Sequence, residues 1–173
     1  MTQHPITKPD IAHWCIHCGA CILVCPEKCL SINPTDSYPK PFPVGDCTKC
    51  GKCLRVCPAA GVDYPALSKK IFDDEEYDTY LGHIAGSWLS ASTDLKLRNN
   101  SASGGTVSSI AIYAIEQGLC DHVLLVDEGT TPFTATPTIA ETKEHVLRCM
   151  GSKYYPTPIF LPLKDIPSLT EKR

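Results

Sequence analysis

Two copies of one cysteine motif constrain the fold of this chain more than any other feature of its sequence. The segment CIHCGACILVCP, residues 15–26, recurs as CTKCGKCLRVCP, residues 47–58. Each copy has three cysteines spaced three residues apart and a fourth, four residues later, followed by proline. Such regular spacing in a short stretch predicts an internal structural repeat that binds metal. The eight repeated cysteines are Cys15, Cys18, Cys21, Cys25, Cys47, Cys50, Cys53 and Cys57.

The spacing within each copy is that of the bacterial ferredoxin run, which holds two 4Fe-4S clusters. Three closely spaced thiolates wrap one cluster, and the displaced fourth reaches the other. Gly19 and Gly51 follow the second cysteine of each copy, where a side chain would crowd the cluster. The alternative, structural zinc, favours four ligands arranged as two CxxC pairs. We therefore predict crosswise ligand sets, Cys15, Cys18, Cys21 and Cys57 for the first cluster and Cys47, Cys50, Cys53 and Cys25 for the second.

The other cysteines and the composition narrow the classes of function. The chain has eleven cysteines, which is an odd number, and no secretory signal. Because a reducing cytoplasm does not preserve disulfides, the repeated cysteines are expected to be metal ligands instead. Cys29, Cys120 and Cys149 are interpreted as small buried apolar residues, and His13 and His17 as solvated. With a net charge of -3 and no basic run, nucleic acid is not expected as a partner. No apolar stretch has the length of a membrane span.

The second half of the chain predicts alternating strands and helices. A domain of residues 1–64 precedes a polar, partly helical linker at 65–80, and the segment between Pro34 and Pro43 predicts a loop. Strands are predicted at 83–92, before Asp127 and from Phe133 to Ile139, with helices near 106–118 and from Thr142, their N-cap, to Met150. Gly118 and Gly151 end these helices. Strand, helix and strand with short connections predict a parallel βαβ pair.

Two loops of this half could bind a ligand. Ser103, Gly104, Gly105 and Thr106 open the predicted helix at 106–118 and offer backbone N–H groups to a phosphate, although ordinary helix capping is the more frequent reason for such residues. Arg98 lies just upstream as a charge partner. The second loop contains Ser152 and Lys153 and by itself predicts only a turn. Neither GxGxxG nor GxxxxGK[ST] occurs.

Three segments of the second half together resemble one family. The sequences RNNSASGGTVSSIAIYAIEQGLCDHVLLV, TPTIAETKEHVL and GSKYYPTPI, within residues 81–159, resemble the N-terminal part of the coenzyme F420 hydrogenase/dehydrogenase beta-subunit family. The predicted fold class is therefore α+β, with a bacterial ferredoxin-like twin-cluster domain followed by a partial α/β flavin-binding-type domain at 81–173. Family members continue well beyond the GSKY segment, so this domain is expected to be incomplete.

The resemblance implies an anaerobic iron-sulfur flavoprotein that binds FAD and exchanges a hydride with coenzyme F420. A flavin can link the two-electron deazaflavin to one-electron clusters, which pass electrons to other redox subunits. Ser103, Gly104, Gly105 and Thr106 become the expected flavin contacts. Arg98, Ser152 and Lys153 become candidates for anionic groups on FAD or F420. No catalytic residue is assigned, and enzyme activity of this chain alone is left open.

The alternative is a non-catalytic ferredoxin-like electron-transfer subunit of a larger redox complex. Residues 1–70 contain eight Lys and Arg against five Asp and Glu, whereas residues 71–173 contain eight against fourteen. A mobile ferredoxin that docks through its own acidic surface would show the opposite sign in its cluster domain. The charge distribution therefore favours a cluster domain that stays within a larger complex over a ferredoxin that diffuses between partners.

Overall fold

Short helices and a minimal strand pair form the N-terminal half of the computed structural model, which describes residues 4–73 and 78–166. Cysteine loops and prolines interrupt the chain too often for long elements to form. The helices are α1 Pro9–Ala12, α2 Ala20–Leu23, α3 Lys52–Arg55 and α4 Tyr64–Phe72, with 3-10 turns at Pro5–Thr7 and Pro58–Ala60, and the strands are β1 Leu30–Ser31 and β2 Phe42–Pro43.

The two cysteine motifs fold alike, as the repeat predicts. Gly19 precedes α2 with φ +80° and Gly51 precedes α3 with φ +75°, both in the left-handed region that glycine adopts without strain. The antiparallel strands β1 and β2 join the ends of the connection between the motifs, pairing Leu30 with Pro43. Before β2 this connection is irregular, as its prolines predict. A small core holds the two motifs together and contains Ile6, Cys21, Leu30 and Cys53.

Helix α4 leads out of the cysteine region. The Asp63 carboxylate accepts a hydrogen bond from the Ala66 N–H (3.0 Å), which caps the first turn, and the helix ends at Asp73 with φ +52°. The Phe72 ring stacks on His83 with centroids 4.2 Å apart. Part of the predicted linker, residues 74–77, lies outside the described residues. The domain boundaries at 64 and 80 therefore stay a prediction.

The second half packs helices against one β-hairpin. Its elements are α5 Leu95–Asn100, α6 Thr106–Glu116, β3 Val123–Glu128, β4 Ala135–Ala140, α7 Lys143–Arg148 and a 3-10 helix Leu161–Asp165. Five buried residues, Leu97, Ala111, Ile112, Ala140 and Val146, form its core. Helix and sheet thus coexist in the chain, which agrees with the mixed class predicted.

The predicted parallel βαβ unit is wrong. Residues 83–92 form no strand, and β3 pairs with β4 in an antiparallel hairpin, from Val123 opposite Ala140 to Glu128 opposite Ala135. A connection of six residues allows an antiparallel hairpin but is too short for a parallel crossover. The Ser92 N–H instead donates to the carbonyl of Gly104 (2.7 Å), so the segment is fixed by the glycine loop. The exposed Trp88 and Leu89 show that its alternation of apolar residues marks no buried sheet face.

The helices of this half follow the sequence signals more closely. The Gly118 N–H closes the end of α6 on the Ile115 carbonyl, with φ +65° at the glycine. The Thr142 hydroxyl accepts from the His145 N–H (3.3 Å) and caps α7, as predicted. Helical spacing predicts one apolar face of α6 that includes Val107, Ile110 and Ala111, and the structure buries only part of that face. Ala111 and Ile112 are buried, whereas Val107, Ile110 and Tyr113 form an exposed apolar row at a spacing of three residues.

The C-terminal segment returns to the first cysteine motif. The Phe160 N–H donates to the Cys18 carbonyl (3.0 Å), and Leu161 and Pro158 lie against Gly19. Leu163 and Ile166, a few residues later, face the strand residue Leu124 across a shared cavity. This segment therefore connects the first motif to the hairpin. Within residues 4–73 and 78–166, no helix combines the length and apolar character needed to cross a bilayer.

The contact between the halves can be tested with two equivalent glycines. A Cβ atom at Gly19 would stand 3.3 Å from both Leu161 and Pro158, whereas no described atom lies within 4 Å of a Cβ at Gly51. Alanine at either position should cost about 1 kcal/mol, because both φ angles are left-handed. Only Gly19→Ala should loosen the C-terminal segment. Anaerobic hydrogen exchange should then show faster exchange of the Phe160 amide in Gly19→Ala than in Gly51→Ala, and equal rates would contradict this contact.

Candidate functional site

Four cysteines from both copies of the repeat surround one cavity. Cys15, Cys18 and Cys21 come from the first copy and Cys57 from the end of the second, and all four line a cavity of about 220 Å³. Apolar side chains, including Ile6, Ile11 and Ile32, form the rest of the wall. This is the set predicted for the first cluster, and the cavity walls would shield a bound cluster from water.

The crosswise partners form the second set. Cys47, Cys50, Cys53 and Cys25 line one narrower cavity of about 20 Å³ on the other side of the paired motifs. His4 and Cys29 occupy part of its wall. Cys50 is exposed, so this site is open to solvent on one side.

Backbone N–H groups point at sulfur in the same way in both motifs. The His17 N–H donates to Cys15 Sγ (3.4 Å), and the Lys49 N–H donates to Cys47 Sγ (3.3 Å). His17 and Lys49 both have left-handed φ angles, +61° and +57°, a strained conformation that aims the amide at the sulfur. Such bonds stabilise a thiolate that ligates a metal. The local geometry is therefore that of a ligand loop.

The thiols of the first set fit an iron cluster better than they fit free cysteine. Burial, and after it the neighbouring thiols, raise the pKa of Cys21 to about 12. Several thiolates around one cavity repel one another unless a cation compensates their charge. The iron ions of a bound cluster would supply that positive charge. The contributing thiols are those of Cys18, Cys15, Cys57 and Cys53. The assignment of each cysteine to a cluster stays a prediction.

Three residues outside the ligand pattern have informative surroundings. Cys29 is buried, but its sulfur lies 3.5 Å from Cys25 Sγ, beside the second set. His17 is half-buried, and its Nδ1 lies 3.1 Å from the Pro39 carbonyl, so it is hydrogen-bonded to protein instead of solvated. His13 is exposed, as expected.

A third cavity lies between the two candidate binding loops of the second half. It has a volume of about 380 Å³ and brings together Ser103 and Gly105 from the first loop with Ser152 and Lys153 from the second. Leu125 and Val126 of β3 contribute an apolar side. Hydroxyls and helix amides on one side and apolar side chains on the other are typical of small-molecule sites.

Two consecutive glycines shape the entrance to α6. Gly104 and Gly105 have φ angles of +61° and +75°. A Cβ atom at Gly105 would overlap Leu97 Cδ2, closer than real contacts allow. No side chain caps the helix at Gly105, so the amides of its first turn are available to a ligand.

The remaining predicted contacts are less well placed. Arg98 is exposed on α5 and is absent from the residues that line the cavity, as are Gly104 and Thr106. Lys153 lines it, but its ammonium group donates to the carbonyls of Met150 (2.6 Å) and Cys149 (3.1 Å). Lys153 therefore caps the end of α7, where a cation is favoured by the helix dipole.

Sequence reasoning missed part of the cavity wall. Cys149 and Met150 line it beside Val146 of α7. The Ser101 hydroxyl lies 3.7 Å from Met150 Sδ, which joins the two loops. The sequence predicted a helix that extends to Met150, whereas α7 ends at Arg148, and the packing of α7 on α6 brings Cys149 and Met150 to the glycine loop.

Two family models match separate parts of the chain. Residues 14–62 match the 4Fe-4S dicluster domain, so the paired cysteine sets belong to a segment that is similar to ferredoxin-like iron-sulfur domains. Residues 88–164 match "Coenzyme F420 hydrogenase/dehydrogenase, beta subunit N-term". The chain thus matches a 4Fe-4S dicluster model in its first half and this beta-subunit model in its second, which confirms the resemblance predicted from the sequence.

Two curated relatives carry the same name. The chain is 31% identical over 88 residues to the coenzyme F420 hydrogenase subunit beta of Methanosarcina barkeri (strain Fusaro / DSM 804), a match over 51% of this chain and 30% of the relative. It is 36% identical over 73 residues to that of Methanococcus voltae, over 42% of this chain and 26% of the relative. The chain therefore spans less than a third of the length of these two relatives.

One solved structure is also similar. It is a xenon-derivatised F420-reducing NiFe hydrogenase complex from Methanosarcina barkeri, with a TM-score of 0.44 and 29% identity. The match covers 52% of this chain and 31% of the chain compared.

Proposed function

We propose that this chain is an iron-sulfur flavoprotein subunit of an F420-linked oxidoreductase, in which two 4Fe-4S clusters relay electrons between FAD and partner redox subunits. The observation that carries the proposal is the pair of crosswise cysteine sets in a chain that also matches the beta-subunit family. The relatives named for F420 hydrogenase support the choice of F420 as the hydride donor or acceptor.

The cavity beside α6 is the proposed site for the flavin nucleotide. The free first-turn amides of α6 and the hydroxyls of Ser103 and Ser152 would bind its phosphate groups, because a helix N-terminus favours negative charge. Leu125 and Val126 would contact an apolar portion. A bound flavin exchanges a hydride with F420 and single electrons with the clusters. Lys153 would act by holding the end of α7 against this cavity, and Arg98 remains the weakest candidate contact.

The contacts of the first motif suggest the order of the relay. The Cys18 carbonyl accepts the Phe160 N–H, so the first cysteine set is in contact with the second half of the chain. The second set lies beyond it and has the exposed Cys50 at its edge, next to the exposed Lys49 and Lys52. We therefore place the first cluster nearer the flavin and the second at the exit toward a partner.

Exposed apolar side chains support the proposed assembly with other subunits. Val107, Ile110 and Tyr113 form one row along α6, and Trp88 and Leu89 are also exposed in this half. Apolar surface of this kind is usually covered by another polypeptide. Redox subunits of a larger complex are the partners proposed.

Cofactor content tests the proposal. Protein purified without oxygen together with its natural partners should contain about eight iron atoms per chain. It should also release FAD on acid treatment and add the sharp flavin bands to the broad cluster absorption. Full iron without flavin would refute the flavin site and favour the alternative, a non-catalytic electron-transfer subunit. Iron well below this content would refute the twin-cluster relay itself.

A further inference from the structure

The second cysteine set has a fifth thiol within reach. Cys29 lies outside the repeated motif, yet its Sγ is 3.5 Å from Cys25 Sγ. His4, Cys29 and Cys47 also present their ligand atoms within 4.8 Å of one another. Cys29 is only 2% exposed, so its sulfur faces the second set and not solvent.

The short distance between Cys25 and Cys29 decides which role Cys29 could have. Two thiolates on different irons of one cubane diverge, because their Fe–S bonds leave from different corners. Sulfurs that touch at 3.5 Å compete for the same corner. Cys29 Sγ also lies within 4.8 Å of Cys47 Sγ, but its 3.5 Å contact is with Cys25 Sγ, so Cys29 is placed as a replacement for Cys25 and not as an additional ligand.

The local backbone brings Cys29 back to this position. The Lys28 N–H donates to the Cys25 carbonyl (3.3 Å), and Lys28 has a left-handed φ of +48°. A lysine in this region is strained, and the surrounding structure must offset that strain. The Val44 N–H then binds the Cys29 carbonyl (3.0 Å) and fixes the residue at the edge of β1.

His4 supplies Cys29 with a hydrogen-bond donor. The Ile6 N–H donates to His4 Nδ1 (3.3 Å), so the proton of the neutral ring is on Nε2. Nε2 lies 3.8 Å from Cys29 Sγ and donates toward it. His4 is 4% exposed, so this donor is held in place by packing. A small apolar core residue needs no such partner, whereas a ligand thiolate is stabilised by one.

From this geometry we infer that Cys25 and Cys29 share one corner of the second cluster, so that either thiolate can bind that iron. The inference rests on the proposed assignment of the second set. In the exchange, the Fe–S bond to Cys25 breaks, the bond to Cys29 forms, and the Cys29 proton passes to the Cys25 sulfur. The oxidation states of the irons do not change.

The repeat provides a matched control. The residue equivalent to Cys25 in the second copy is Cys57, and the residue four positions later is Gly61. The first cluster therefore has no spare thiol at the corresponding place. Loss of Cys25 and loss of Cys57 should differ although the two cysteines have equivalent positions.

Iron and sulfide assays, with EPR of the reduced protein, test the inference on the full chain kept without oxygen. Wild type, Cys29→Ala and Cys25→Ala should each hold about eight irons, whereas Cys57→Ala and Cys25→Ala/Cys29→Ala should each hold about four. In Cys25→Ala the EPR signal of the second cluster should persist with shifted features, because one ligand has changed.

Three results would overturn the shared corner. One is loss of the second cluster from both Cys25→Ala and the more conservative Cys25→Ser, whatever the state of the first cluster. Another is its loss from Cys29→Ala alone, which would make Cys29 the only ligand of that corner. The third is an intact second cluster in the double variant. Wild-type protein without two clusters would instead refute the proposed function, so the two failures are distinguishable.

Discussion

Replacement of Cys21 by alanine should remove the first cluster and lower the iron content from about eight to about four atoms per chain. Cys21 is buried, and its thiol belongs to the set that lines the larger cavity. Among the described residues, no fifth cysteine lines that cavity, so no thiol can take its place. Iron and acid-labile sulfide per chain, with the visible absorption of the clusters, give the measurement on protein reconstituted without oxygen.

Cys120→Ala is the matched control for this loss. Cys120 is partly exposed in the second half, and it lines neither cysteine cavity. Its replacement should leave the iron content unchanged. A Cys21→Ala protein with full iron, or a Cys120→Ala protein with half of it, would contradict the assignment of the first set.

Replacement of Gly105 by alanine should lower the flavin content at least tenfold, about 1.4 kcal/mol or more in binding free energy. The new Cβ would overlap Leu97 Cδ2, and φ is +75° at this position. Either the buried Leu97 side chain or the loop must shift, and the left-handed φ adds backbone strain, so we expect the first-turn amides of α6 to be displaced. Flavin released by acid from protein purified with its partners measures the effect.

Gly118→Ala separates this local effect from backbone strain. Gly118 stands at the other end of α6 with φ +65°, but no described atom lies within 4 Å of a Cβ built there. It should lose about 1 kcal/mol of stability and keep its flavin. Equal flavin loss in both variants, or normal flavin in Gly105→Ala, would remove the glycine loop from the proposed site.

The N-terminal half could be predicted because cluster binding requires cysteines at fixed intervals, which the sequence shows directly. The repeat predicted that the two motifs fold alike, with a glycine after the second cysteine of each, and it predicted the crosswise sets whose members line the two cavities. The position of Cys29 was not predictable from that spacing. It depends on the left-handed turn at Lys28 and on His4, which comes from a distant part of the chain.

The second half was predicted element by element but not in its topology. Thr142 and Gly118 mark helix ends by local hydrogen bonds, which sequence reveals. Residues 83–92 have strand-like alternation, but a strand also needs a neighbour, and β3 pairs with β4. Strand pairing depends on which segments meet in the folded chain. The local alternation of apolar residues therefore predicted the wrong strands as neighbours.

The role of Lys153 illustrates the same limit at the candidate site. The family resemblance implies an anion contact for Lys153, yet its ammonium group donates to the carbonyls of Cys149 and Met150. Sequence placed Ser103 and Ser152 in two separate loops, and the packing of α7 on α6 brings both to one cavity.

Electron transfer from reduced F420 to the clusters is the most direct test of the proposed relay. Anaerobic, flavin-loaded protein with its partners is mixed rapidly with reduced F420, and the cluster absorption is followed together with F420 oxidation. The relay predicts that both clusters are reduced in wild type, and that Cys21→Ala oxidises F420 without reducing the second cluster at a comparable rate. Clusters that stay oxidised with reduced F420, although dithionite reduces them, would contradict it.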